Sequence, residues 1–168
     1  VEIYTDVEGV ASADPRIVQQ ARLLERISYD KMYEMARYGA GVVHHGAVRT
    51  GQESSIPIVV RSTFSMAPGT IIADLQDEFS IVGIATLGPL ETVVLRGDFV
   101  GPKARGIWER RRDIISLIDR DTGALILGAS PEKSRELKSV VDEAETAIGQ
   151  ILNDQCWISL IGKSEALQ

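Results

Sequence analysis

Ile56-Pro57-Ile58-Val59-Val60-Arg61-Ser62 runs apolar without the alternation of a half-solvated strand, which suits a strand buried on both faces. Upstream, a short helix is expected around Gly46 to Gln52. Before it lies a longer one, N-capped by Ser28, carrying Tyr29, Met32, Tyr33 and Ala36 at spacings of three and four and stopping near Gly39. Further back, Val1 to Thr5 reads as a strand, followed by the turn cluster Asp6-Val7-Glu8-Gly9 and a loop in which Pro15 biases Asp14 away from helical geometry. Strands separated by helical segments predict βαβ units and a parallel sheet. Downstream, Ala67-Pro68-Gly69 punctuates the chain before a short strand at Thr70 to Ala73 and an acidic stretch, Asp74 to Glu78, where a domain boundary is expected.

The second half has a different rhythm. Ile81 to Ala85 and Glu91 to Leu95 read as strands, Lys103 to Arg112 as a short helix, and Asp113 to Asp119 as a strand. The turn Asp121-Thr122-Gly123 makes Ala124 to Gly128 its hairpin partner. Ser130-Pro131 opens a helix whose stripe is Leu137, Val140, Val141, Ala144, Ile148, Ile151 and Leu152, and Cys156 to Ile161 forms a last strand. The order strand-helix-strand-strand-helix-strand is the split βαβ arrangement of an α+β sandwich. Both ends read as strands in mid-course, so a piece of a longer protein is expected.

The 168 residues are 44% hydrophobic and 25% charged, with 18 Lys and Arg against 24 Asp and Glu for a net charge of −6, so no general basic field exists to hold nucleic acid. A single cysteine, Cys156, excludes an intramolecular disulfide and fits a reducing compartment, so cytoplasm is the default location. No apolar run approaches the roughly 18 to 20 residues needed to cross a bilayer, and no signal-peptide layout is present. A membrane role is not expected.

Several residues could carry chemistry. Thr5-Asp6 ends a strand, where open α/β sheets bind ligands, although Asp-Val-Glu-Gly alone is most often just a turn. Arg16 could clamp a phosphate, yet a loop arginine is more often a solvated charge or a surface pair partner. His44-His45 lacks other ligands at metal spacing, and adjacent histidines on one element point in different directions, so no metal site is expected. Arg110-Arg111-Arg112 reads as a solvated helix end, Cys156 as a buried strand residue rather than a nucleophile, and Trp108 and Trp157 as core or interface aromatics.

Ordered motifs over about seventy residues go further. Glu2 to Val10, Ala13-Asp14-Pro15-Arg16-Ile17-Val18, Ile27 to Met32 with Glu34-Met35-Ala36, Gly39-Ala40-Gly41-Val42-Val43-His44, and Pro57 to Ser62 with Pro68-Gly69-Thr70 resemble the C-terminal end of the aspartokinase catalytic domain. The remainder resembles that family's first regulatory ACT domain, a ferredoxin-like βαββαβ fold, and Trp157 to Gly162 resembles the opening strand of a second. The resemblance implies an α/β catalytic tail over 1–73, an ACT domain over 74–154 and the start of another over 155–168.

It also implies an activity: transfer of the γ-phosphate of ATP, with Mg2+, to the β-carboxylate of L-aspartate, the first step toward lysine, threonine and methionine. Thr5, Asp6, Ala11, Ser12, Ala13, Asp14, Pro15 and Arg16 map to the nucleotide pocket, with Gly41 and Val42 nearby; Arg16 is the candidate phosphate contact and Asp6 the candidate for the adenosine end. The family's N-terminal lysine motif and its Gly-rich aspartate loop are absent, so this stretch alone is not expected to catalyse, and no catalytic residue is assigned. An effector, lysine or threonine, would sit at Gly101, Pro102, Lys103 and Ala104 with Ile114, Ile115 and Ser116, and a homo-oligomer would assemble through ACT domains.

This sequence also departs from the family pattern. Ala11 stands where an aromatic residue usually meets the nucleotide, Gly41 where a lysine is frequent, His45 where proline is usual, and Val100-Gly101-Pro102-Lys103 inverts the usual Pro-Gly order. A non-catalytic amino-acid-sensing or dimerisation module is the alternative, and a relative acting on another acidic substrate is a third.

Overall fold

The structure, a computed structural model, describes residues 1–75, 81–95, 114–118, 124–143 and 148–162. The chain divides into two units, Val1–Leu87 together with the stretch from Ile158 onward, and Gly88–Trp157.

In the first unit, β1 (Glu2–Thr5), β2 (Arg26–Ser28), β3 (Ile58–Ser62) and β4 (Thr70–Ala73) form a sheet in the order β1-β3-β4-β2. The apolar run of β3 places it in the interior of that order, with Ile58 and Val60 buried. The expected parallel sheet is corrected to a mixed one. β1 pairs with β3 and β2 with β4 in parallel, but β3 and β4 are antiparallel, Val59 facing Ile71. The reason is chain length, since residues 63–69 are too few for the crossover of a dozen or more that a parallel neighbour requires. The chain therefore turns back at Gly69, whose φ of +79° and approach to the Val60 carbonyl leave no room for a Cβ.

Two helices cover the sheet. Ser28 caps α1 (Tyr29–Arg37), its hydroxyl accepting from the Lys31 amide, and Asp30 and Arg37 sit at the helix ends that favour their charges. The expected stripe is present with a shift: Tyr29, Met32 and Met35 are buried, while Tyr33 and Ala36 flank the core. His44 caps α2 (His45–Glu53), its Nδ1 accepting from the Gly46 amide at 3.1 Å. Val10, Ile27, Val43, Val48, Ile72 and Ile161 complete the core.

In the second unit, parts of β5 (Ile81–Leu95) and β8 (Ile148–Gly162) join β6 (Ile115–Ile118) and β7 (Leu125–Ala129) in a sheet ordered β6-β7-β5-β8. The expected hairpin forms, with Ile118 opposite Leu125, and β5 pairs antiparallel to β7 through Glu91 to Leu95. The two strands expected at 81–85 and 91–95 are one continuous strand. A 3-10 turn (Pro131–Lys133) leads into α3 (Ser134–Glu143), which buries Leu137 against Val93, Leu95, Ile114, Leu125 and Leu127.

Ile148, Ile151 and Leu152, expected on that helix, belong instead to β8. Spacings of three and four cannot by themselves separate a helix from a strand with irregular facing, and the β-branched isoleucines favour the latter. The helix expected at Lys103 to Arg112, with Trp108 and Arg110-Arg111-Arg112, and the turn Asp121-Thr122-Gly123 lie outside the described residues. Cys156 is in a strand as expected but is exposed rather than buried, and Trp157 packs over Gly128.

One side chain ties the loops of the first unit together. The Thr70 hydroxyl, fully buried, accepts from the Val10 amide at 2.8 Å and donates to the Leu24 carbonyl at 2.6 Å, while the Leu24 amide donates to the Val10 carbonyl at 2.8 Å. Replacing Thr70→Val keeps the shape and removes both bonds, leaving a buried donor and acceptor unsatisfied at a cost of about 1–3 kcal/mol. Amide hydrogen exchange at Val10 is expected to accelerate at least roughly tenfold in that variant; unchanged protection would show that the hydroxyl does not hold the loop base.

Candidate functional site

The residues singled out at the end of β1 form a braced rim. The Thr5 hydroxyl donates to Asp6 Oδ1 at 3.0 Å, and the Thr5 carbonyl accepts from both the amide and the hydroxyl of Thr63, at 2.8 and 3.1 Å. Asp6 is exposed at the head of the bend that follows.

From Val10 the chain enters a long loop whose two legs pair like a short hairpin. Ala11 bridges Leu23, the Ser12 amide donates to the Arg22 carbonyl at 2.8 Å, and Ser12 Oγ accepts from the Arg22 amide at 3.0 Å. The Ser12 carbonyl also accepts from the Ile84 amide at 2.7 Å, so Ala11 and Ser12 are fixed backbone rather than free loop. Asp14 organises the tip. Its carbonyl accepts from the amides of Ile17 and Val18, and its carboxylate accepts from the Arg16 amide at 2.9 Å, Arg16 Nε at 3.0 Å and Arg16 Nη2 at 2.7 Å.

Arg16 is thus the surface pair partner that one sequence reading anticipated, 88% exposed, with its guanidinium presented to solvent at the loop tip beside Pro15. The hydrogen bonds from Arg16 hold the Asp14 carboxyl below its usual range, and the Asp14 carboxylate raises Arg16 in turn. Among the described residues no hydrogen bond or ion pair joins Asp6 to Arg16.

Gly41 and Val42 lie apart, in the connection from α1 to α2. Val42 packs on the same core that buries Val10, whereas Gly41 is exposed and a Cβ there would meet nothing within 4 Å, so its backbone leaves space for a longer side chain or a ligand. The adjacent histidines do not diverge as expected. His44 is the extended cap rather than part of the helix, and its ring stacks on His45 at 4.4 Å between centroids. His45 meets Tyr33 edge-on, and Arg49 lies 4.7 Å over the Tyr33 ring. Tyr33 and Arg49, but neither histidine, border a cavity of about 460 Å³ lined by α1, α2, Asp74 and Leu75, and none of the predicted site residues lines it.

Among the described residues no three His, Cys, Asp or Glu side chains converge as a metal cage. In the second unit, Ile114 is buried, and Ile115 and Ser116 lie in β6 opposite Gly128 and Leu127, while Gly101, Pro102, Lys103 and Ala104 lie outside the described residues. Thr63 and Thr70 were missed as site residues. Pro68-Gly69-Thr70 was visible as a motif, but no local pattern indicates that its hydroxyl reaches Val10.

The Asp14 clamp has a signed pH dependence. A carboxyl lowered in the folded state contributes stability that is present above its unfolded value of about 3.9 and is lost as pH falls through the lowered folded value. Carboxyl NMR titration is expected to place Asp14 below the ordinary carboxylate range and, in Arg16→Gln, to move it back up; an unchanged midpoint would contradict the clamp.

Residues 1–62 match the profile of the amino acid kinase family. The chain is 41% identical to aspartokinase 2 of Bacillus subtilis over 57% of its own length and 24% of that protein. It is 33% identical to the chloroplastic bifunctional aspartokinase/homoserine dehydrogenase 2 of Arabidopsis thaliana over 100% of its length and 18% of the relative. In fold it is similar to E. coli aspartokinase III solved with aspartate and ADP, with a TM-score of 0.78 at 23% identity, covering 100% of this chain and 41% of that one. It therefore spans about a quarter or less of the length of these curated relatives. Residues 1–62 thus carry the likeness to the amino acid kinase family, and the chain as a whole is similar in sequence and in fold to aspartokinases.

Proposed function

We propose that this chain is the nucleotide-binding part and first regulatory part of an aspartate kinase. In that reaction an oxygen of the L-aspartate β-carboxylate attacks the γ-phosphorus of ATP, the bond to the β,γ-bridging oxygen breaks, and ADP leaves with an acyl phosphate formed. Such transfer is largely positioning and charge neutralisation. The observation that carries the proposal is the rim itself: Thr5-Asp6 at the carboxyl end of a parallel strand, where α/β sheets take ligands, beside a loop braced to present a cation.

Each element has a role within this proposal. Asp6 accepts hydrogen bonds from the adenosine end. Arg16 meets a phosphate, and Asp14, by holding the guanidinium in place before the nucleotide arrives, lowers the ordering cost of that contact. Ala11 and Ser12 offer fixed backbone at the nucleotide, with Ala13 and Pro15 in the same loop, and Gly41 and Val42 border it from the α1–α2 connection. Mg2+, when bound, would supply charge neutralisation at the phosphates; no side chain of this chain is assigned to it.

The second unit is proposed as an ACT-type regulatory domain. Its strand order, β8-β5-β7-β6 when read from the other edge, is that of a ferredoxin-like sheet with the fourth strand beside the first, which supports the reading. Gly101 to Ala104 and Ile114, Ile115 and Ser116 would receive lysine or threonine, with ACT domains pairing two copies. E. coli aspartokinase III, also similar in fold, has been solved with lysine and aspartate. A cytoplasmic setting accords with a single free cysteine.

In the complete enzyme, Asp6→Ala and Arg16→Ala are each expected to lower kcat/KM for ATP in aspartate phosphorylation by roughly ten- to a hundredfold, the value of a charged hydrogen bond. Rates near wild type for both would overturn the site. Lysine or threonine at about 100 times its dissociation constant is expected to stabilise the protein by roughly 2.7 kcal/mol in a thermal shift titration; silence to both would remove the regulatory assignment.

A further inference from the structure

Two arginines without a counter-charge line the cavity beside α1 and α2. Arg49, on α2, lies 4.7 Å over the Tyr33 ring, and Arg37 follows Tyr33 one turn along the same face of α1. Among the described residues neither guanidinium has an ion pair or a hydrogen bond. The third cation of the lining is paired, Lys31 Nζ standing 3.2 Å from Glu34 Oε2. A further bond ties the two helices together, Gln52 Nε2 donating to Asp30 Oδ1 at 2.8 Å. Asp74 is the remaining acid of the lining, and among the described residues its carboxylate has no ion pair. Its charge is felt within the lining, where burial and then Asp74 raise the Tyr29 phenol.

A guanidinium stacked on a ring has its plane fixed and its N–H edge free, so it is arranged for an acceptor with several oxygens. Two such cations together suit a doubly charged head, which is what a phosphate group supplies. Asp30 and Asp74 in the same lining repel further negative charge, so the rest of the ligand is neutral and carries hydroxyls that a carboxylate can accept from. A nucleoside triphosphate, with its run of charges, fits that lining poorly. The cavity, about 460 Å³, lies within the range of small-molecule sites, roughly 300 to 1,000 Å³, and exceeds what a bare phosphate ion fills. We propose that this cavity is a second ligand site, taking a small phosphate ester of a polyhydroxy compound, with its phosphate on Arg37 and Arg49 and a hydroxyl on Asp74. None of these residues belongs to the rim at Thr5 to Arg16, so the inference stands apart from the nucleotide site proposed above.

Calorimetric titration of the complete enzyme with glycerol phosphate and, separately, with inorganic phosphate tests it. Glycerol phosphate should bind, at least roughly tenfold more tightly than inorganic phosphate. Arg37→Gln and Arg49→Gln should each weaken it roughly tenfold or more, the value of a charged hydrogen bond. Arg49→Lys, which keeps the charge and loses the stacked fork, should recover only part of that loss. Arg16→Gln should leave the titration unchanged, and a saturating non-hydrolysable Mg-ATP analogue should not displace the ester. Thermal melts of the free variants close to that of the unmodified enzyme would show that the arginines act on the ligand and not on the fold. No binding of glycerol phosphate, equal affinity for inorganic phosphate, or titrations unchanged in both glutamine variants of Arg37 and Arg49 would overturn the proposal. So would loss of binding in Arg16→Gln or displacement by the ATP analogue, since either would put the ester at the nucleotide site.

Discussion

The geometry of the first unit depends on the buried hydroxyl of Thr70. It is the point at which the first residue of the β4 strand, the exit of β1 and the return leg of the loop meet, and it satisfies a donor on one and an acceptor on the other. With Val10 and Leu24 joined there, the loop between them is closed at its base, and everything from Ala11 to Leu23 is held as a projecting structure rather than a free excursion. A loop with a fixed base can carry an arginine to a defined place. Closing it within the fold also reduces the ordering that a ligand would otherwise have to impose.

The strand order amplifies this constraint. Because β3 lies between β1 and β4, the turn after β3 must start at the rim and finish at Thr70, so one short connection touches Thr5 at one end and the loop base at the other. The rim, the arginine loop and the turn after β3 are therefore parts of one hydrogen-bonded assembly. The cavity beside α1 and α2 stands outside it, lined by Tyr33, Arg37 and Arg49 among others.

Much of this was legible in the residues and some was not. Ser28 as the α1 cap, the β4 strand at Thr70 to Ala73 and the pairing of β6 with β7 follow local rules of capping, β propensity and hairpin formation, and each stands where those rules put it, while the α1 stripe is shifted to Met35. β2 escaped because Arg26-Ile27-Ser28 is too short to display a period and is a strand only through its pairing with β4. The parallel expectation failed at β3 and β4, where connection length outweighed the α/β alternation. Ile148 to Leu152 fit a helical stripe and a strand alike, and tertiary pairing chose the strand. In the candidate site, Asp14 and Arg16 were visible as a motif whose local pairing spans only two residues, but the reach of Thr70 across sixty residues to Val10 is a matter of tertiary contact.

The most direct test of the account is a crystal structure of the complete enzyme with a non-hydrolysable ATP analogue and Mg2+. The account predicts density for the nucleotide across the carboxyl ends of β1 and β3, with a phosphate oxygen within hydrogen-bond distance of Arg16 and the Val10–Thr70–Leu24 bonds intact. A nucleotide seated in the cavity between α1 and α2, or one that leaves Thr5 to Arg16 untouched, would contradict it.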